Sequence, residues 1–199
     1  VRALQRLPQL GVPVARLAGH GTRGWNPARR ESFVLMQALD GMVSLEDLCR
    51  DWGATPPDPV RVRLKRRLIA DIAAIARALH EHGANHRDFY LCHFLLPTPA
   101  PGSSGAHTRL HLIDLHRVQW RARTPLRWRA KDVGGLWFSA LDAGLTGRDV
   151  LRFVRAYRAA PLRQTLRADR ALWRRSARVA VALYRKAHGR TPRLAVCAS

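Results

Sequence analysis

The sequence predicts an α+β fold in which strands come early and helices fill most of the second half. Three observations carry this reading: an uninterrupted β-type apolar run at residues 33–36, apolar residues three and four apart between Leu64 and Leu79, and helix-start signals at Ser44 and Thr146. In chain order, residues 14–18 form a first strand candidate, followed by a Gly-rich stretch, 19–27. Residues 32–39 form a second, built on Phe33, Val34, Leu35 and Met36 and broken by Asp40-Gly41. Ser44 with Asp47 three residues on opens a short helix to about residue 52, closed by Gly53 and the Pro-rich loop 56–59. From Val60 the steps Leu64, Leu68, Ile72, Ile75 and Leu79 describe one helix face, and Gly83 is its stop. Residues 86–96 read as a loop entering a short strand, 97–105 as a surface loop, and 110–115 as a strand that completes a hairpin. Helices are then expected at 132–141, from Thr146 to 158, and as one long basic amphipathic helix over 166–187.

The 199 residues are 47% hydrophobic with 14 Gly and 12 Pro, enough apolar material for a core and outside the disordered and collagen-like classes. Net charge is +21, and among the basic residues only Lys65, Lys131 and Lys186 are lysines. Residues 1–100 hold 14 basic and 9 acidic side chains, residues 101–199 hold 21 and 5, so the second half is expected to face an anionic partner. No run reaches the roughly 18 apolar residues of a spanning helix, and the first residues lack a signal-peptide pattern, which favours a soluble or peripheral protein. Cys49, Cys92 and Cys197 are far apart without a CxxC, so neither a disulfide framework nor a cysteine zinc site is readable, and a reducing compartment fits.

The chemistry concentrates in two segments, His-Arg-Asp-Phe-Tyr-Leu-Cys-His-Phe-Leu-Leu at 86–96 and Leu-His-Leu-Ile-Asp-Leu-His-Arg at 110–117. Phosphoryl transfer needs one carboxylate beside the acceptor hydroxyl and another to hold the Mg²⁺ that bridges the nucleotide phosphates. Asp88 and Asp114 are 26 residues apart, each in a strand-like apolar context with a hairpin between them. Either alone is more simply a turn residue or a strand-end residue. Together, after a long helix and behind His86-Arg87, they form a constellation.

That constellation resembles the catalytic loop and metal-binding aspartate of the protein-kinase-like fold. More narrowly, these segments, with Arg-Trp-Arg-Ala-Lys-Asp-Val-Gly-Gly-Leu-Trp-Phe-Ser-Ala at 127–140 and Gly-Leu-Thr-Gly-Arg-Asp-Val-Leu-Arg-Phe at 144–153, resemble the bacterial lipopolysaccharide core heptose kinase family over most of residues 10–160. The resemblance implies a kinase-like α+β fold, mainly its helical C-terminal lobe at 42–199, with a remnant of the small lobe and hinge at 1–41. It makes Asp88 the catalytic base and Asp114 the Mg²⁺ ligand. His93 falls where protein kinases carry the catalytic-loop Asn and is a second metal candidate, although Mg²⁺ prefers oxygen. Tyr90 replaces the loop lysine of Ser/Thr kinases, Arg87 and His86 brace the loop, and Asp132 resembles the aspartate that anchors the loop through its amides. The main chain at Gln37 and Leu39 would face adenine; from the residues alone, a strand without a ligand is an equal reading.

Gly19-His20-Gly21-Thr22-Arg23-Gly24 matches GxGxxG, but Trp25-Asn26-Pro27 follows and no lysine precedes Lys65, so a plain turn is expected rather than a phosphate loop. His80-Glu81-His82 fails zinc-helix spacing, and Cys92 reads as a packed thiol. The arginines of 166–187 suit a solvated helix or an anionic membrane surface equally. By resemblance, the chain would use ATP and Mg²⁺ to phosphorylate a heptose of the lipopolysaccharide inner-core glycolipid, in the cytoplasm at the inner membrane of a Gram-negative bacterium. The small-lobe lysine and glycine loop of that fold have no counterpart before Phe33, so an N-terminally truncated chain that is catalytically weak or silent is expected. The alternatives are a binding-only pseudokinase and a basic nucleic-acid-binding module, the latter resting on charge alone, since no nucleic-acid signature is present.

Overall fold

In the computed structural model, residues 1–98 and 109–192 are described. The short helix α1 (Arg2–Arg6) leads to an exposed antiparallel hairpin, β1 (Leu17–Arg23) and β2 (Glu31–Met36). The strand β3 (Met42–Ser44) and the one-turn helix α2 (Leu45–Leu48) follow, then the long helix α3 (Pro59–Glu81). Beyond it come β4 (Ala84–Asn85), β5 (Phe94–Pro97), β6 (His111–Leu112) and β7 (Gln119–Trp120). Four helices close the chain: α4 (Leu126–Ala140), α5 (Gly147–Arg158), α6 (Leu162–Ala168) and α7 (Arg170–His188). The strands make three small antiparallel sheets, β1-β2, β3-β5-β6 and β4-β7.

Local chemistry explains the best-formed elements. The Asp58 side chain accepts from the amides of Val60 and Arg61 at the start of α3, and Pro59 sits where no amide partner is needed. Gly83, at φ +77, ends it; a Cβ there would lie 1.9 Å from the Arg121 carbonyl oxygen. At α5 the reciprocal Thr146–Asp149 capping box forms as the spacing predicts, and Ser44 caps α2 through the Asp47 amide. The face of α3 that carries Leu68, Ile72, Ile75 and Leu79 packs into one core with Phe89, Phe94, Leu112 and Val133. Ala3, Leu7 and Val12 join that same core, so the first residues lie against the helical body. Two adjacent glycines let α4 serve two neighbours. A Cβ on Gly134 would meet Val179 at 2.6 Å, on Gly135 the Tyr90 ring at 3.1 Å, so α7 and the 86–93 loop both approach its backbone.

Several expectations need correction. The Gly-rich stretch is not a plain turn: Gly19–Arg23 lies within β1, pairing in register with β2 from Gly19↔Leu35 to Arg23↔Glu31. The first strand therefore begins at Leu17, because it is the partner strand that dictates where extension starts. The second strand ends at Met36 rather than 39. The helix expected over 166–187 is broken at Asp169, which bonds Arg129 and Arg158 of other elements, and α4 begins six residues before Asp132. The 110–115 strand contracts to His111–Leu112, because Asp114 turns the chain at φ +58; the β5–β6 hairpin itself forms. Of the 97–105 loop, residues 99–105 lie outside the described residues, as does Cys197.

Candidate active site

The loop that follows β4 is fastened from behind. The Asp132 carboxylate, buried in α4, accepts from the His86 amide at 2.7 Å and the Arg87 amide at 2.8 Å. Arg87 there adopts φ +79, a conformation costly for a residue with a Cβ and sustained by those two bonds. A third partner, the His80 imidazole of α3, lies 3.3 Å from Asp132 through Nε2. The Asp132 carboxylate can only accept, so it is the Nε2 side of the ring that donates to it, while Nδ1 lies 2.8 Å from the Tyr157 hydroxyl, which also accepts from Arg129 Nε at 3.1 Å. Burial pushes the Tyr157 phenol up to about 12, so the hydroxyl keeps its proton.

From this base the loop carries Asp88 and His93 forward to meet the segment after β6. His93 Nδ1 donates to the Asp88 carbonyl at 2.6 Å, while its Nε2 lies 3.3 Å from Asp114 Oδ2. The two segments are also tied through the main chain, since the Ile113 amide donates to the His93 carbonyl at 3.0 Å and His86 Nε2 donates to the Ile113 carbonyl at 3.0 Å. Burial holds the His86 imidazole below its ordinary range, hence neutral at pH 7. Asp114, partly exposed, sits in the left-handed region that Asp tolerates. Its second oxygen contacts His116 Nδ1. The Asp88 carboxylate is gripped by one guanidinium nitrogen of Arg117, 2.9 Å from Oδ1 and 2.8 Å from Oδ2.

Asp88, His93 and Asp114 are thus brought together. Gln37 and Leu39 lie elsewhere on the chain, directly after β2; the Gln37 amide already donates to the Arg16 carbonyl at 2.9 Å, whereas Leu39 makes no backbone–backbone bond among the described residues. Tyr90 packs edge-on against Phe138 and has its phenol raised by burial. Cys92 has its thiol raised by burial, and burial pushes Cys49 to about 12, so neither is a ready nucleophile. Sequence reasoning missed Arg117, His116, Tyr157 and the buried role of His80. Only His80 carried a signal, its four-residue step from Ala76 along the buried face of α3.

A donor test for Mg²⁺ follows from these contacts. Among the described residues no three His, Cys, Asp or Glu side chains converge as a metal cage. Mg²⁺ commonly takes one or two carboxylates and completes its shell with substrate phosphates and water, a demand that the partly exposed Asp114 fits.

Residues 1–157 match the lipopolysaccharide kinase (Kdo/WaaP) family. The chain belongs to that family. It is 45% identical over 170 residues to the lipopolysaccharide core heptose(I) kinase WaaP of Escherichia coli K12, covering 85% of this chain and 63% of that protein. With the WaaP of Pseudomonas aeruginosa the identity is 46% over 185 residues, covering 93% and 68%. Among solved structures, WaaP in complex with acyl carrier protein superposes with a TM-score of 0.80 at 46% identity, over 92% of this chain and 74% of that one. The fold is therefore protein-kinase-like, and the chain spans somewhat under two thirds of the Escherichia coli relative's length.

Proposed function

We propose that the chain is part of an ATP-dependent kinase that phosphorylates a heptose of the lipopolysaccharide inner core. The observation that carries this reading is the convergence of Asp88 and Asp114 through His93, on a loop anchored by Asp132. In it, Asp88 accepts the hydrogen of the sugar hydroxyl and takes the proton as the oxygen bonds to the terminal phosphorus of ATP, whose bond to the bridging oxygen breaks to release ADP. Arg117 aims that carboxylate, and has to yield part of its contact when the hydroxyl arrives. Asp114 would hold Mg²⁺, with His93 Nε2 as the second contact. Bound there, the metal would supply charge neutralisation on the phosphate oxygens. The division at Gly41 into a small-lobe remnant with hinge and a helical lobe belongs to the same reading, with adenine against the main chain of Gln37 and Leu39. Asp88→Asn, which keeps the shape and removes the base, is expected to lower turnover by about 10²–10⁴-fold with the fold intact. Steady-state phosphorylation of purified inner-core acceptor tests it; activity within a few-fold of the parent sinks the assignment. A pseudokinase would show no Mg²⁺-dependent turnover in either protein.

A second reading concerns partners. A cavity of about 540 Å³, apart from the aspartates, is lined by Leu68, Ile72, Leu136, Phe153 and Trp173, and Arg167, Arg170 and Arg174 stand at its wall. The relative's structure is a complex with acyl carrier protein. We propose that this cavity takes an acyl chain and that its arginines meet an acidic carrier, while the remaining arginines of α7 face an anionic membrane surface at the cytoplasmic side. No described helix is long and apolar enough to cross a membrane. Co-purification of this chain with acyl carrier protein, abolished by filling the cavity with Ala177→Trp, is the expected result.

A further inference from the structure

A second concentration of charge lies on the other flank of the loop. Four cations from three separate segments gather round the indole of Trp128: Arg87 at 5.6 Å from the ring centroid, Arg121 at 5.4 Å, Arg127 at 5.4 Å and Lys131 at 5.7 Å. None of the four has an ion-pair partner among the described residues. Arg121 bonds only the neutral Asn85 and Gln119 side chains. The carboxylates nearest in sequence are engaged: Asp88 by Arg117, Asp132 by His80 and two amides.

Three features make this cluster electrostatically incomplete. Arg127 and Lys131 are four residues apart on α4, a like-charge pair on neighbouring turns. They stand in the first turns of α4, whose amide end already carries partial positive charge and has neither an acidic residue nor a side-chain cap. Independently, Arg87 Nε and Trp128 Nε1 are buried N–H donors without an acceptor. The indole face holds guanidinium groups in place but neutralises none of them. An anion does both.

We propose that Arg87, Arg121, Arg127 and Lys131 round Trp128 form an oxyanion-binding site, and that its ligand is a phosphate or carboxylate group carried by the sugar acceptor. Guanidinium forks match the paired oxygens of either group, and a site next to Asp88 in the chain suits a handle that orients the acceptor. The assignment to the acceptor rests on the kinase reading above; the oxyanion site does not.

The test is calorimetric titration of inorganic pyrophosphate, without Mg²⁺ and at constant ionic strength, into the chain, an Arg127→Gln/Lys131→Gln variant, and an Arg63→Gln/Arg66→Gln control at exposed positions of α3. Saturable binding should weaken about tenfold or more in the first variant and stay within about twofold in the control. Absence of saturable binding, or equal weakening in both variants, overturns the site. Arg127 is exposed, so the variant should fold; Lys131→Gln alone, with unchanged thermal midpoint, serves if it does not. In the activity arm, the acceptor KM should rise about tenfold with the KM for ATP unchanged. Lost pyrophosphate binding with an unchanged acceptor KM overturns the acceptor assignment and makes the ligand free phosphate. The binding arm decides the oxyanion site whether or not the chain turns over.

Discussion

The 86–93 loop and the β1–β2 hairpin are both short, irregular in sequence and named by the resemblance to kinases, yet they are held in opposite ways. The loop rests on buried groups: Asp132 at 1% exposure takes two of its amides, and Phe89 and His86 beside Asp88 are equally buried. The hairpin has every residue of β2 exposed, Phe33 at 57% and Leu35 at 58%. The difference teaches where precision is placed. A loop that must keep a carboxylate fixed relative to a second one is over-determined from several elements. The hairpin is defined mainly by its own ladder.

The comparison can be broken most severely at Asp132. Asp132→Ala leaves two loop amides and the His80 N–H buried without an acceptor and removes what sustains Arg87 at positive φ. It is expected to cost about 3–5 kcal/mol in urea unfolding, against near-zero effect for substitutions in β2. Next, α4, which fastens the loop from behind, and the hairpin contain glycines that look equivalent in sequence. A Cβ on Gly134 meets the Val179 side chain and the Ser176 carbonyl oxygen within 3 Å, so Gly134→Ala is expected to destabilise by about 1–3 kcal/mol. A Cβ on Gly21 meets only the Phe33 ring, which is exposed and can swing aside, so Gly21→Ala should change the thermal midpoint little.

A smaller effect comes from pH. The folded His86 has its pKa depressed by burial, whereas the unfolded side chain titrates near 6.5. Between those values the unfolded chain binds the extra proton. The contribution of His86 to stability is therefore complete above about pH 6.5 and declines as pH falls toward the depressed folded value. Denaturant titrations at pH 7.5 and 5.5 should show that loss, reduced in His86→Asn; an identical pH dependence in the variant rejects it. The smallest change in stability is expected for Phe33→Ser, within about 0.5 kcal/mol. Its effect belongs to solubility, because Phe33 and Leu35 leave an apolar surface on a two-stranded sheet. Light scattering at matched concentration should show less self-association than in the parent.

Much of this was legible along the chain because it depends on neighbours in sequence. The α3 face, the Thr146–Asp149 box and the Ser44 cap obey three- and four-residue spacing, and Asp88 and Asp114 stood out within motifs carried by contiguous residues. What the tertiary structure alone decided involves partners far apart. The strand character of Gly19–Arg23 comes from its ladder with β2, against the preference of glycine. The break at Asp169 comes from guanidinium groups on α4 and α5, invisible to a periodicity that runs on unbroken. Two-residue strands such as β4 and β7 are too short to leave a pattern. The grip of Arg117 on Asp88, the bridge of His93 to Asp114 and the gathering of four cations round Trp128 likewise arise only when separate segments meet. Spacing reports which face a side chain takes, and packing alone chooses what that face meets.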